Sequence, residues 1–514
     1  MPIFHPPFTL HPYQVDLATR AYFNWSTILG ADTGMGKGVM SLATVCLWLE
    51  DGLIDFVMVG CERGKLGEWI QEIETVTDLK PVRYSGTPKH REKLREQIKS
   101  GEISCIVGVY ETFRIDLTGK SPTSKNKRGW ELTDGPLLEL IKDKRVAYIK
   151  DEGPARIGAK RSSALYQAHE RLANQANPRV IEISATPVDR DPEGYFNVAR
   201  LIAPERVGRV KDFEEDHIAA KDAYHRASVF KNLSPDMTEP GKLSLKEKME
   251  GILLAKSKKD PEVAHLFPEE VADYSYVTLS DEETEFYNWM VNEYANDPQN
   301  DAALYTILRQ FFGHPMALTL SEGGVAQSVV EKVGVKRLKA LGSSKCDRVV
   351  SRVKDILSTD DQVVAFTFFG QSVLPFYEQA FRDHGWRVSV NHGALSTPQV
   401  ERSKAAFRAG DTQIFLSSDA GARGINLPEA AYVEEIDCAL KWSVHHQRIS
   451  RVSRVDSKNP TIWWNIWVVK DTLEEDILNK AILRKGYADD LVTTDGVTTS
   501  MMKDMLKRKR VHDS

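Results

Sequence analysis

The chain has 514 residues, of which 41% are hydrophobic and 27% charged, with a formal net charge of -5. That length exceeds one ordinary core, so two or three domains are expected, and the balance is that of a soluble globular protein. The acidic charge excludes a whole-molecule basic footprint for nucleic acid. No apolar run is long enough to cross a bilayer, so no membrane partner is expected, and the start MPIFHPPFTLHPYQ lacks the basic and apolar regions of a signal peptide. Five cysteines without metal-like spacing read as reduced thiols of a cytoplasmic protein.

In chain order, STILGAD (26–32), DFVMVGC (55–61), KPVRYSG (80–86), ISCIVGVYE (103–111), VAYIKDE (146–152) and RVIEISATP (179–187) are predicted strands. Amphipathic stretches lie between most of them, among them 36–50 and 65–76. Repeated βα units predict a parallel sheet covered on both faces. From 206 to 330 strand candidates are few, and SLKEKMEGILLAKSKK and DEETEFYNWMVNEYAND predict helices. The alternation resumes with strands at 362–369, 387–393, 412–419, 431–438 and 461–469. Trp463, Trp464 and Trp467 in the last are expected to pack against a sheet. The fold class is therefore α/β, with an α/β domain at 1–205, a helical insertion at 206–330, a second α/β domain at 331–490 and a basic tail at 491–514.

The stretch ADTGMGKGVM (31–40) follows a predicted strand and opens a helix, the context of a phosphate-binding loop. Residues Thr33, Gly34, Met35, Gly36, Lys37 and Gly38 would cradle phosphates with backbone N–H groups, and Lys37 would reach the outer phosphates. Gly38 stands where such loops carry the Ser or Thr hydroxyl that binds magnesium. At the end of VAYIK, Asp151 is placed to hold Mg²⁺ and Glu152 to activate a water. Ser184 and Thr186 of SATP are placed to bond across to that pair. Upstream, the Gln14 amide matches the donor–acceptor pattern of an adenine edge. HHQRISRVSRVD (445–456) predicts a helix carrying Gln447, Arg451 and Arg454, the two arginines on one face where their forks match phosphate oxygens. Lys120, Lys125, Lys127 and Arg128 form a basic loop, and Lys507, Arg508, Lys509 and Arg510 a basic tail. A nucleic-acid role for the loop stands against the reading of both as solvated segments.

Taken together and in order, these motifs resemble a superfamily-two nucleic-acid-dependent ATPase, most closely its Swi/Snf-type branch. LHPYQ, ADTGMGK, FVMVGCERGKLGEWIQEI, VGVYETF, KDEGPARIGAKRS, SATPVDRDPEGYFNVARLIAP, LRQFFGHPMAL, AFTFFGQ, HGALSTPQVERSKAAF, SSDAGARGINLPEA and QRISRVSR carry the resemblance from about Leu10 to Leu478. It implies two RecA-like domains, ATP with Mg²⁺ in the cleft between them, and nucleic acid across the top. It implies ATP-driven movement, usually along duplex DNA, by a monomer in the cytoplasm, the host's if the compact chain is viral rather than bacterial. Tyr110, Thr112 and Ser418 would then contact the phosphate backbone, and Gly421 and Gly424 would lie near that backbone or the ATP. Such contacts follow phosphates rather than bases, so sequence preference should be low. Two departures stand out: Gly38 for the hydroxyl residue, and Gly153-Pro154 for the usual Ala-His. LLAKSKKDPEVA also replaces a more arginine-rich stretch. A translocase, a strand-separating helicase of DNA or RNA, and an ATP-binding scaffold without turnover are the three readings.

Overall fold

The computed structural model describes residues 4–122, 130–158, 160–188, 191–221, 227–294, 301–421 and 425–492. The chain divides into two compact units, one reaching to Val263 and taking up the chain again from Arg484, the other spanning Ala264–Leu483. The boundary thus falls inside the stretch expected as a helical insertion.

The first unit contains β1 (Thr27–Ala31), β2 (Phe56–Cys61), β3 (Val82–Tyr84), β4 (Cys105–Val109), β5 (Thr118–Pro122), β6 (Trp130–Asp134), β7 (Val146–Asp151), β8 (Arg179–Ile183), β9 (Ile218–Lys221), β10 (Ala227–Phe230) and β11 (Leu253–Lys256). Seven of these form one sheet in the order β11-β1-β8-β7-β2-β4-β3, with every neighbouring pair parallel. β5 with β6 and β9 with β10 are separate antiparallel pairs. TILGA, FVMVGC and CIVGV are buried at every position, as strands covered on both faces must be.

The second unit contains β12 (Glu269–Val277), β13 (Val363–Thr367), β14 (Val388–Asn391), β15 (Ile414–Ser418), β16 (Tyr432–Glu435) and β17 (Thr461–Val469), all parallel in the order β12-β17-β16-β13-β15-β14. The period-two rule is visible in β13: Val363 and Ala365 enter one core, Val364 and Phe366 the other. Trp464 and Trp467 are buried in those cores, and their indole N–H groups donate to Glu435 and Glu434, each at 2.7 Å. Trp463 faces outward beside Tyr432.

Two elements correct the sequence expectation. SLKEKMEGILLAKSKK is helical only over Leu245–Met249; Gly251, with φ 74°, turns the chain, and LLAK then pairs with β1 as an edge strand. EEVADYSYV, unmarked as a strand, runs as β12 along β17 for nine residues, its acidic and exposed positions being typical of a sheet edge. The helix Asp281–Tyr294 forms as expected. No helix among the described residues is long and apolar enough to cross a membrane.

Parallel strands bring their carboxyl ends to one edge, and β1, β8 and β7 are direct neighbours. The loops leaving Ala31, Asp151 and Ile183 therefore meet there, at the edge where open α/β sheets bind ligands.

Candidate nucleotide site

The loop after β1 turns through Gly34 and Gly36, at φ 83° and 81°, a left-handed backbone that glycine adopts without penalty. Gly36 is the N-cap of α2, the helix Lys37–Glu50 that follows α1 (Pro12–Phe23) in the chain, so free N–H groups and the positive helix end face the loop. A side chain at Gly36 would also run into the Gln14 amide. That amide, expected to read an adenine edge, braces the loop. Its Oε1 accepts from His11 N at 2.9 Å and its Nε2 donates to the Met35 carbonyl at 3.0 Å, where the Tyr13 hydroxyl also donates at 3.1 Å. Thr33 is half-buried and Met35 fully buried. Asp32 Oδ2 accepts from Ser257 Oγ at 3.1 Å and Lys258 N at 2.8 Å, tying the loop to the turn after β11.

Lys37 Nζ donates to the Ala31 and Asp32 carbonyls at 2.7 and 3.1 Å. Burial pulls its pKa down to about 8 against the opposing charges of Glu152, Asp32 and Asp151. A phosphate at the loop would restore the counter-charge that burial withholds.

Asp151 ends β7, and its Oδ2 meets Lys65 Nζ at 2.9 Å and the Trp69 indole N–H at 3.1 Å. Glu152 holds φ 55° and ψ 37°, an uncommon conformation for a non-glycine residue and one that clusters at functional sites. Its N–H donates to the Ile183 carbonyl at 2.8 Å, and Ser184 Oγ donates to its Oε2 at 2.7 Å. Withdrawal from water raises the Glu152 carboxyl, with Lys65 opposing. The Thr186 N–H donates to Ser184 Oγ at 3.1 Å, so SATP and the DE pair form one hydrogen-bonded unit. A carboxylate held this way is oriented to accept a proton from water.

The Gly153 departure has a steric cause: a Cβ there would overlap the Glu182 carboxylate. Glu182 is buried on β8 and pairs with Lys150 Nζ at 3.4 Å. Burial pushes its carboxyl up to about 7, with Lys150 opposing. Around Asp151, sequence reading missed Lys65, Trp69 and Glu72, all on or at the foot of α3, the helix Leu66–Val76. Burial and the Asp151 charge raise the Glu72 carboxyl to about 7. The three-residue spacing of Trp69 and Glu72 was the signal available, since it puts them on one face.

Two of the expected backbone contacts are buried. Tyr110 is buried, and its hydroxyl donates to the Asp151 carbonyl at 2.8 Å, so it supports the carboxylate from inside rather than meeting a phosphate. Ser418 is likewise buried at the end of β15, its Oγ accepting from Gly421 N at 3.2 Å. Thr112 is half-buried. The helix expected over 445–456 spans Trp442–Ile449. Arg451 and Arg454 follow in turns, where Leu427 N donates to the Arg451 carbonyl at 2.8 Å and Arg454 N donates to Ser457 Oγ at 2.8 Å. Their shared helical face therefore does not exist. Gln447 is exposed on the helix. Lys120 lies in β5, whereas Lys125, Lys127, Arg128, Gly424 and the tail residues 507–510 lie outside the described residues.

In that unit the sequence reading missed Arg448. Its guanidinium is buried between Asp419 (2.8 and 3.0 Å), Glu435 (2.6 Å) and Asp437 (3.0 Å), which joins SSDAGARG to QRISRVSR. His445 Nδ1 meets the same Glu435 Oε2 at 2.6 Å. Burial opposes the imidazolium, yet Glu435 raises its pKa to about 10.

Residues 16–320 match the family described as SNF2-related domain. The chain belongs to that family. Residues 348–456 match the helicase conserved C-terminal domain. Among relatives, the uncharacterized ATP-dependent helicase YqhH of Bacillus subtilis is 22% identical over 96% of this chain and 82% of its own. The CHD3-type chromatin-remodeling factor PICKLE of Arabidopsis thaliana is 23% identical over 97% of this chain and 35% of its own, so this chain spans about a third of that protein. In fold, the Hef helicase domain of Pyrococcus furiosus aligns at a TM-score of 0.51 and 13% identity over 92% of this chain and 98% of that one. The two parallel-sheet units are thus RecA-like domains of a helicase-type core, and the chain is a nucleic-acid-dependent ATPase of the SNF2-related family.

Proposed function

We propose that the chain hydrolyses ATP with Mg²⁺ and uses the energy to move along duplex or branched DNA with little sequence preference. The observation that carries this reading is the meeting of Lys37, Asp151, Glu152 and Ser184 at the carboxyl edge of one sheet. Lys37 and the loop amides bind phosphate oxygens. Glu152, oriented by Ser184, takes the proton of the attacking water. Gln447, Arg451 and Arg454 serve phosphate recognition in the second unit on the strength of the QRISRVSR motif, the two arginines from turns rather than from one helical face.

The residues fit a magnesium ion. Asp151 is a hard oxygen donor beside the phosphate loop, and Mg²⁺ is held by one or two carboxylates with phosphates and waters rather than by a dedicated protein cage. Accordingly, no cluster of three or more His, Cys, Asp or Glu groups is pre-arranged for a metal among the described residues. When bound, the ion neutralises charge on the outer phosphates. The test is ATP turnover by the purified chain with single-stranded DNA, duplex DNA and RNA. Duplex DNA is expected to stimulate most; no phosphate release with any of them ends the motor reading, and equal activity on RNA ends the DNA preference. Triplex displacement without fork unwinding marks a translocase, and fork unwinding a helicase.

A further inference from the structure

The loop lacks a hydroxyl at Gly38, and the structure shows what fills that space. A Cβ built on Gly38 would meet Glu72 Oε1 and Oε2, both at 2.6 Å, and the carboxyl carbon at 2.8 Å. The two oxygens therefore lie within the volume that a Ser or Thr side chain would occupy. No left-handed backbone forces glycine here, because Gly38 is not among the positive-φ glycines. What a side chain at 38 would meet is the carboxylate end of Glu72 on another helix, which would have to swing away to admit it.

α3 delivers that carboxylate beside Asp151. Trp69, one turn earlier on the same face, donates its indole N–H to Asp151 at 3.1 Å, and Lys65 at the foot of the helix pairs with the same oxygen at 2.9 Å. The helix is therefore fixed against one magnesium-binding carboxylate while it presents another at the phosphate loop.

We propose that Glu72 supplies the donor that Gly38 lacks, its carboxylate serving as a ligand, directly or through water, of the magnesium ion that accompanies the nucleotide. The inference rests on the ATP reading above. A carboxylate oxygen is a hard ligand suited to this ion, and it replaces a neutral donor with an anionic one. Gly38 and Glu72 then form a matched pair, in which the glycine makes room for the acid and the acid does the work of the missing hydroxyl.

The test uses the full chain with ADP, following Mn²⁺ affinity of the ADP complex by electron paramagnetic resonance and ADP affinity in EDTA by calorimetry. Glu72→Gln and Glu72→Ala are each expected to weaken Mn²⁺ by on the order of tenfold or more while metal-free ADP binding stays near wild type. Gly38→Thr introduced into Glu72→Ala has the space for its side chain and is expected to regain much of the loss. Unchanged Mn²⁺ affinity in Glu72→Gln overturns the proposal, as does a loss confined to Glu72→Ala, which marks a packing role. No ADP binding by the wild-type chain sinks the ATP reading and this inference with it, whereas ADP binding with unaltered Mn²⁺ affinity sinks the inference alone.

Discussion

Gly153→Ala isolates a single steric contact behind the DE pair. The position has no left-handed φ, so alanine brings no backbone penalty; it brings one methyl group into the volume of the Glu182 carboxylate. Either the methyl is forced in, at about 1–3 kcal/mol for overpacking, or Glu182 leaves Lys150. Their charges, 3.4 Å apart and buried, would then separate at a cost of about 3–5 kcal/mol. At roughly 2–4 °C per kcal/mol for a unit of this size, the overpacking range lowers the midpoint by about 2–12 °C. Scanning calorimetry on Gly153→Ala measures this directly. The same substitution in a Lys150→Met/Glu182→Ala background, where the acid is gone, should cost little. An equal drop in both backgrounds, or none in the wild type, would refute the steric account and leave the Gly153 departure unexplained.

Glu152→Gln should retain ADP binding and lower phosphate release by about 10²–10⁴-fold; an unchanged steady-state rate would remove Glu152 from the chemistry. Arg448→Met leaves Asp419, Glu435 and Asp437 without their shared guanidinium, and should cost the second unit about 3–5 kcal/mol in denaturant unfolding. A loss below about 1 kcal/mol would contradict a buried hub. His169 is lowered to about 3 by burial and the Lys150 charge, with the Leu165 carbonyl opposing. Its folded pKa lies below its unfolded one, so the unfolded chain takes up the proton first as pH falls. The contribution is complete above the unfolded value of about 6.5 and is lost as pH drops towards 3, at up to about 1.4 kcal/mol per pH unit. Thermal midpoints across that window should fall less steeply in His169→Gln, and an identical slope would refute the assignment.

The strands were legible because a parallel strand buried on both faces must be apolar throughout, as TILGA and FVMVGC are. β12 was hidden by the opposite physics: an edge strand tolerates Glu269, Glu270 and Asp273, and so resembles solvated chain. The phosphate loop was legible because Gly34 and Gly36 satisfy a backbone requirement written in the residue type. The end of the helix at Ile449 was not, since RISRVSR keeps its apolar spacing and carries no Gly or Pro. The chain departs there for partners remote in sequence, Leu427 among them. Arg448, Arg451 and Arg454 were indistinguishable for a related reason, because the acids that bury Arg448 come from two segments remote from the helix in sequence, Asp419 after β15 and Glu435 and Asp437 at the end of β16. The pairing of Gly38 with Glu72 follows no periodicity and became visible only when α3 was set beside α2.

The first unit is interrupted by the second, and this bears on the order in which the protein is made. β1, which leads into the phosphate loop, has β11 as its outer neighbour, and Leu491 lies in the same core cluster as Ile28 of β1. A ribosome releasing the chain from its amino end therefore presents β1 with one edge unpaired until Lys256 emerges, and that core lacks Leu491 until the helix Leu473–Val492 is nearly complete. The second unit is continuous from Ala264 to Leu483. Nascent chains stopped near residue 205 should therefore carry every motif of the first half, yet expose a raw β1 edge that invites aggregation.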